Sequence, residues 1–224
     1  MKRYVVANLK SNKTAPELTA WFADFGVPPQ ADDTEVIIAP SFTLLALLQA
    51  DRAVGLQMGA QDVSSFPLGA YTGAVAAQQL ADFGVRYCIV GHSERRQYFH
   101  ETDADVAKKI TELLSLEITP ILCLDEPYIA SQAQLLSDEQ RAAVIIAYEP
   151  KAAIGSGRSI SVGHVKEVSA VIKKDFPTAP ILYGGSVDET NCEEFLLVTN
   201  GVLVATAALD GKEFARLVAK CAAH

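Results

Sequence analysis

The sequence predicts an α/β fold in which eight parallel strands, alternating with helices, close into a compact (β/α)8 barrel that forms a single domain over residues 1–224. Three observations predict it. Short runs rich in β-branched residues recur eight times along the chain. Amphipathic stretches separate these runs, an alternation that is typical of parallel pairing. The runs are also almost continuously apolar, as in VIIA and YCIV, which a strand buried on both faces requires.

The predicted strands are short, and eight strand–helix units in 224 residues suit a closed barrel of near-minimal size. The strands cover residues 4–7, 35–39, 56–60, 87–90, 119–124, 144–148, 181–183 and 202–204. An open doubly wound sheet is the alternative architecture, but no GxGxxG motif follows the first strand. The GSGRS stretch at 155–159 lacks the first glycine and the lysine of a P-loop, so we interpret it as a chance match.

Two of the intervening helices carry start signals. Thr14 is followed three residues later by Glu17, which is the pattern of a capping box. Ser186 stands three residues before Glu189 and ahead of an apolar stretch. The sequence therefore predicts that helices begin at both positions.

The charge balance excludes some partners. The chain has 19 Lys and Arg against 27 Asp and Glu, a net charge of −8, which has the wrong sign for binding nucleic acid or an anionic membrane. The basic start MKRYVVANLKSN is interrupted by Asn8 and Lys10, so it lacks the apolar core of a signal peptide. No run approaches the roughly 18 apolar residues that cross a bilayer. We expect a cytoplasmic protein.

The cysteines and histidines do not form a ligand pattern. Four cysteines and four histidines are widely scattered, with no CxxC or comparable spacing. Cys88 and Cys123 lie inside predicted strands, where a reduced thiol behaves as a small apolar group. We therefore expect no metal site.

Reactive residue types follow the ends of several predicted strands. Asn8 and Lys10 come after the first strand, His92 after the fourth, Glu149 after the sixth and the GGS segment 184–186 after the seventh. On a barrel these positions all lie at the carboxyl-terminal mouth. The sequence therefore predicts that they converge on one pocket.

The chemistry of these residues is consistent with proton transfer, although each has a structural alternative. Lys10 taken alone is equally consistent with a solvated charge. His92 precedes a helix, whose dipole favours a neutral imidazole, and a histidine there can also simply cap a turn. Glu149 ends the buried run VIIAY and precedes Pro150, so its carboxylate is held at an apolar edge. Such a group tends to have a raised pKa and to act as a base.

Two loops are candidates for binding an anion. The small residues and glycines of 151–159 suggest a hinged lid, with an ordinary βα loop as the alternative. Gly184, Gly185 and Ser186 would let backbone N–H groups approach a phosphate at a helix start. Paired glycines also serve plain tight turns.

Four motifs together resemble the triosephosphate isomerase family. They are Asn8-x-Lys10, HSERR at 92–96, YEP with IGSG at 148–150 and 154–157, and YGGSV at 183–187. Their order and spacing run the length of the chain. The segment 59–73 is similar to the family's protruding third loop, and PILCLDE at 120–126 is similar to its fifth strand.

The resemblance implies a TIM barrel that needs no cofactor and interconverts dihydroxyacetone phosphate and D-glyceraldehyde 3-phosphate through an enediolate, in glycolysis and gluconeogenesis. It implies that Glu149 is the base, that His92 and Lys10 stabilise the enediolate oxygens and that Asn8 orients the carbonyl. Glu94 would lie beside Lys10 and help to move protons. A glutamate base beside a neutral histidine is the known arrangement of this enzyme.

The resemblance also implies a phosphate site and a partner. The phosphate-binding residues would be Gly155, Gly184, Gly185, Ser186, Ala205 and Thr206. The family usually has Gly-Gly where this chain has Ala205-Thr206, and a lid tryptophan where it has Ala152. We therefore expect an active enzyme with a weaker hold on phosphate.

The segment 61–73 predicts a homodimer. Phe66, Leu68 and Tyr71 would make a protruding apolar loop that is unfavourable in water unless it docks. By resemblance, Gln61 and Thr72 belong to this dimer loop, and Thr72 would reach the partner's pocket. An internally packed Ω-loop is the alternative.

Two other functions are alternatives. Another phosphate-binding barrel, such as a pentulose-phosphate epimerase, usually needs metal ligands at strand ends, which are not evident. A catalytically silent relative that serves as a binding module is compatible with Ala152, Ala205 and Thr206, but the presence of His92 and Glu149 argues against it.

Overall fold

The computed structural model describes residues 2–27, 33–50, 55–150 and 159–223. Its eight strands pair in parallel in sequence order, and the last pairs with the first to close a barrel. The strands are β1 (Arg3–Asn8), β2 (Thr34–Ala39), β3 (Leu56–Ala60), β4 (Tyr87–Val90), β5 (Thr119–Leu124), β6 (Ile145–Tyr148), β7 (Ile181–Tyr183) and β8 (Gly201–Val204). The prediction of a closed barrel is confirmed, and the open-sheet alternative is wrong.

Helices follow the strands and surround the barrel. In the described residues they are α1 (Ala15–Phe25), α2 (Leu45–Ala50), α3 (Ala77–Asp82), α4 (Ser93–Tyr98), α5 (Asp103–Leu114), α6 (Ile129–Gln134), α7 (Asp138–Ala143), α8 (Val162–Asp175), α9 (Cys192–Leu196) and α10 (Gly211–Ala223). Short 3-10 turns at Phe42–Leu44, Glu126–Tyr128 and Thr206–Leu209 complete the loops. None of the helices in the described part of the chain is long and apolar enough to cross a membrane.

The core has two layers because strand side chains alternate between two faces. Val6 of β1 packs inside the barrel with residues that come from strands alone, including Ile37 and Ile121. Its neighbour Val5 faces outward and packs with helix residues such as Trp21. Both layers are apolar, which explains why the strands read as continuous apolar runs.

The barrel closes where Tyr4 of β1 pairs with Gly201 of β8. Gly201 has φ 157°, and a Cβ at this position would lie 1.9 Å from the Tyr4 carbonyl oxygen. Only glycine fits so close an approach. This one position therefore sets how tightly the first and last strands join.

The first predicted helix start is confirmed and the second is wrong. Thr14 caps α1, and Glu17 accepts hydrogen bonds from the Thr14 backbone N–H and hydroxyl at 2.8 and 2.7 Å. The residues after Ser186 form turns, and α9 begins only at Cys192. Asp188 and Asn191 explain the delay, since Asp188 Oδ1 accepts from the Thr190 N–H and Asn191 Oδ1 from the Asp188 N–H. Such local side-chain bonds compete with a helix.

Candidate active site

A cavity of about 730 Å³ opens at the carboxyl ends of the strands. It brings together most of the residues that the sequence singled out. Its walls include Lys10, His92, Glu149, Gly184, Gly185, Ser186, Ala205 and Thr206. Asn8 and Glu94 lie directly behind this wall, each bonded to Lys10. The predicted convergence of distant strand ends therefore occurs.

Glu149 lies at the bottom of this cavity. It follows β6 directly and is only 2% exposed. Burial raises the pKa of its carboxyl group, while His92, a hydrogen bond from the Cys123 thiol and Lys10 act in the opposite direction. Oε2 of Glu149 has no hydrogen-bond partner among the described residues. A buried carboxylate with a free oxygen and a raised pKa is suited to act as a general base.

His92 faces Glu149 across the cavity floor. It caps the first turn of α4, where its Nδ1 accepts the Glu94 backbone N–H at 3.2 Å. Nδ1 is therefore the unprotonated nitrogen, and a neutral ring carries its proton on Nε2. Nε2 lies 3.3 Å from Oε1 of Glu149. This hydrogen bond fixes the orientation of the ring, with Nε2 directed toward Glu149.

Lys10 supplies a cation to the same cavity. Its Nζ lies 2.6 Å from Oε1 of Glu94, and its backbone N–H donates to Oδ1 of Asn8 at 3.1 Å. Asn8 is 4% exposed, so its amide is held in a fixed orientation. Lys10 is not a solvated charge, because it is paired and points into the site.

Gly184 and Gly185 have a role that the sequence did not indicate. A Cβ on Gly184 would lie 2.7 Å from Cγ of Glu149, and one on Gly185 would lie 2.1 Å from the hydroxyl oxygen of Tyr183. The Tyr183 hydroxyl accepts the backbone N–H of Ile160 at 3.2 Å. These glycines therefore leave space for the buried side chains of Glu149 and Tyr183. They also bring their backbone groups to the cavity wall.

The loop after β8 has an ordinary backbone despite its unusual residues. Ala205 has φ −111° and ψ −76°, so the chain avoids the left-handed region at this position. Trp21 holds the loop from outside the barrel, since its Nε1 donates to the Ala208 carbonyl at 2.9 Å. Side chains at 205 and 206 thus line the cavity without backbone strain.

Three predicted residues are not among those that line the cavity in the described structure. Gly155, with the rest of the predicted lid including Ala152, lies outside the described residues. Gln61 and Thr72 do not line the cavity. Thr72 is exposed, whereas the Gln61 amide turns inward and donates to the carbonyl oxygens of Lys10 and Ala39.

Three residues of the site were missed from the sequence. Cys123 was interpreted only as a core thiol, Gln61 only as a loop residue, and Trp21 was not considered. Their polar groups reach distant segments: the Cys123 thiol bonds to Glu149, the Gln61 amide to the carbonyls of Lys10 and Ala39, and the Trp21 indole to the Ala208 carbonyl. The only signal available was the position of Cys123 and Gln61 at the ends of strands.

The arrangement can remove a proton and stabilise the anion that results. A base, a neutral N–H donor and an ammonium group converge on one cavity, as acid–base chemistry beside a carbonyl requires. The fold and the site together define a (β/α)8-barrel enzyme of the proton-transfer class.

Comparison with known proteins identifies the family. A family model described as Triosephosphate isomerase matches residues 3–221. The chain belongs to the triosephosphate isomerase family, and it interconverts dihydroxyacetone phosphate and D-glyceraldehyde 3-phosphate. The triosephosphate isomerase of Gloeobacter violaceus is 41% identical over 97% of this chain and 98% of its own length.

Other relatives agree. The triosephosphate isomerase of Thermus thermophilus is 38% identical over 97% of this chain and 98% of its own length. That of Mesomycoplasma hyopneumoniae is 33% identical over 97% and 99%. The similarity therefore covers the whole barrel, including every strand end that contributes to the cavity.

Proposed function

We propose that Glu149 is the base of the isomerisation and moves a proton between neighbouring carbons of the triose phosphate. The observation that carries this assignment is the buried Oε2 of Glu149, which has no partner in the described structure while Oε1 faces His92 at 3.3 Å. The burial that raises the carboxyl pKa makes its conjugate base stronger. A stronger base is better matched to a weakly acidic carbon.

His92 and Lys10 stabilise the enediolate that forms. Nε2 of His92 is the donor nitrogen, because Nδ1 is occupied by the Glu94 N–H. The Lys10 ammonium, which lines the same cavity, adds a positive charge. Asn8 orients the carbonyl, and Glu94, in contact with Lys10, assists proton movement.

The phosphate binds at Gly184, Gly185, Ser186, Ala205 and Thr206, together with Gly155. Two carboxylates, Asp188 and Glu213, line the same cavity and oppose an anion. Hydrogen bonds from Thr190 lower the pKa of Asp188, which favours its negatively charged form. These features support the expectation of a weak hold on phosphate.

Conversion of glyceraldehyde 3-phosphate in a coupled assay tests the assignment of the base. Glu149→Gln keeps the side-chain shape and removes the basic oxygen, so kcat should fall by at least about 100-fold. Glu139→Gln changes an exposed carboxylate on α7 and should leave kcat unchanged. Full turnover by Glu149→Gln would reject the assignment.

We propose in addition that the segment 61–73 makes a homodimer. Phe66, Leu68 and Tyr71 remain 44%, 58% and 43% exposed, although Phe66 and Tyr71 stack with ring centroids 4.5 Å apart. Internal packing alone therefore does not cover the loop. Tyr98 and Phe99, at the end of α4, are also exposed, at 67% and 66%.

Ion pairs hold the base of this loop rigidly against the barrel. Asp62 binds Arg95 of α4 at 2.8 Å and Lys109 of α5 at 2.5 Å, and Lys109 also binds the buried Glu101. The Arg95 guanidinium lies over the Phe99 ring at 4.8 Å. A loop fixed at its base and apolar at its tip is suited to docking into a second copy of the chain.

Sedimentation combined with activity measurements tests the dimer. Leu68→Glu places a charge at the tip and should convert a dimer to monomers, with reduced turnover if Thr72 completes the partner's pocket. Leu197→Glu, at a 69% exposed position after α9, is the matched control and should leave the assembly unchanged. A wild-type monomer with full activity would reject a role for dimerisation in catalysis.

A further inference from the structure

Lys10 has a backbone conformation that a lysine does not adopt by preference. Its φ is 50°, in the left-handed region where a Cβ is crowded. Among the described non-glycine residues, His100 and Glu117 share a positive φ, but each lies just beyond the end of a helix and neither lines the cavity. A strained backbone at a site residue persists only where its surroundings hold it.

The side chain of Gln61 restrains the Lys10 carbonyl group. It follows β3, and its Nε2 donates to the carbonyl oxygens of Lys10 and Ala39, both at 2.8 Å. A side-chain amide nitrogen has two protons, so both are used. The amide thereby ties together the ends of β1, β2 and β3 at the cavity mouth.

Every polar group of Lys10 is then held by a different element. The backbone N–H is bound by Asn8 at 3.1 Å, the carbonyl by Gln61 at 2.8 Å, and the ammonium by Glu94 at 2.6 Å. Removal of the carbonyl restraint lets the backbone relax toward negative φ. Such a rotation redirects the Cα–Cβ bond and takes the ammonium away from its place in the cavity.

We propose that Gln61 is a positioning residue for the isomerisation, whose amide holds Lys10 in the left-handed conformation that directs its ammonium into the cavity. The proposal rests on the role of Lys10 in the proposed function. It gives Gln61 a task within its own subunit, separate from the dimer contact expected from its place in the 61–73 segment.

A double-mutant cycle tests this proposal. Gln61→Met keeps the length of the side chain and removes both hydrogen bonds, so kcat/KM should fall about 10- to 100-fold, the scale expected from misplacing a catalytic group by about 1 Å. In a Lys10→Ala background the same substitution should cost less than about 2-fold, because Gln61 acts through the lysine. Gln78→Met on α3 is the control and should have no effect in either background.

The outcomes distinguish the positioning role of Gln61 from the catalytic role of Lys10. Equal fractional losses from Gln61→Met in both backgrounds would overturn the positioning role, since a purely structural effect does not depend on the lysine side chain. Full activity of Gln61→Met would also overturn it. Full activity of Lys10→Ala alone would instead remove the catalytic role of Lys10, on which the proposal rests.

A second variant keeps the proposal testable if Gln61→Met does not fold. Gln61→Glu places a carboxyl opposite two carbonyl oxygens, which it repels when ionised and to one of which it donates when protonated. The ratio of variant to wild-type kcat/KM should therefore rise as the pH falls, with circular dichroism confirming that both proteins are folded. A ratio that does not change with pH would contradict the proposal, and sedimentation at each pH shows that assembly is constant.

Discussion

Oε1 of Glu149 lies 3.3 Å from Nε2 of His92, and both side chains are almost completely buried. Because of this contact, the two oxygens of the carboxylate have different surroundings. Oε1 faces the imidazole, while Oε2 has no partner among the described residues. In the proposed mechanism Oε2 takes the substrate proton and Nε2 of His92 is the neighbouring donor. One short distance thus aligns the base with the group that stabilises its product.

The buried carboxylate should make the protein less stable as the pH rises. Burial raises the pKa of Glu149 in the folded state, so the native protein retains a proton that the unfolded chain has lost. The free energy of unfolding therefore falls as the pH rises from the unfolded pKa through the raised folded value. Glu149→Gln removes the free-energy cost of burying a carboxylate. It should therefore raise Tm near pH 7.5, by about 2–4 °C for each kcal/mol of stability gained. This gain should vanish near pH 4. A calorimetric Tm that is lower than wild type at pH 7.5 would contradict the expectation.

The Cys123 thiol should lower the pKa of Glu149. Its hydrogen bond to Glu149 favours the ionised carboxylate, so Cys123→Ala should move the acid limb of the kcat/KM profile to higher pH. Cys123→Ser retains a donor and should return the limb toward its original position. Cys88→Ala, at a buried thiol on β4, is the control and should not move the limb. An unchanged limb in Cys123→Ala would show that the thiol has no electrostatic effect.

A methyl group at Gly184 should displace the base. The added Cβ would come within 2.7 Å of Glu149 Cγ, closer than carbon atoms approach without movement. Gly184→Ala should lower kcat about 100-fold, since small displacements of a catalytic group are costly. Gly163→Ala is a matched control in α8, where the nearest atom would be 3.9 Å away. Steady-state kinetics with normal kcat in Gly184→Ala would indicate that the carboxylate adapts.

Removing the side chains at 205 and 206 should improve phosphate binding. Ala205→Gly with Thr206→Gly widens that end of the cavity, and KM for glyceraldehyde 3-phosphate should fall about 3- to 10-fold, equivalent to the gain of a hydrogen bond of about 1 kcal/mol. Unphosphorylated glyceraldehyde is the control, and kcat/KM for it should not change. Because Ala205 already has a negative φ, any gain reflects space and not relieved strain. An unchanged KM would show that the side chains at 205 and 206 do not obstruct the phosphate.

The sequence predicted best those features that depend on residues close together in the chain. Strand limits were accurate to about one residue because apolar β-branched runs leave little choice once both faces are buried. The positions of His92 and Glu149 followed, since each is the first polar residue of functional type after a strand. The helix start at Ser186 failed because Asp188 and Asn191 bond to nearby backbone N–H groups instead.

Contacts between distant segments could not be predicted in this way. Nothing near Trp21 or Gln61 in the sequence indicates that their polar groups meet Ala208 and Lys10. The steric reason for Gly184 likewise depends on Glu149, which directly follows the neighbouring strand β6. Such relations arise only when the barrel brings strand ends together.

The join between Tyr4 and Gly201 has a consequence for the order of events during synthesis. The two partners stand near opposite ends of the chain, so a ribosome that has released the first seven strands has still made an unclosed sheet with two free edges. Those edges persist until Val204 emerges and β8 pairs with β1. The nascent chain is therefore most prone to aggregation late in translation, when nearly all of its apolar surface exists and its last pairing partner does not.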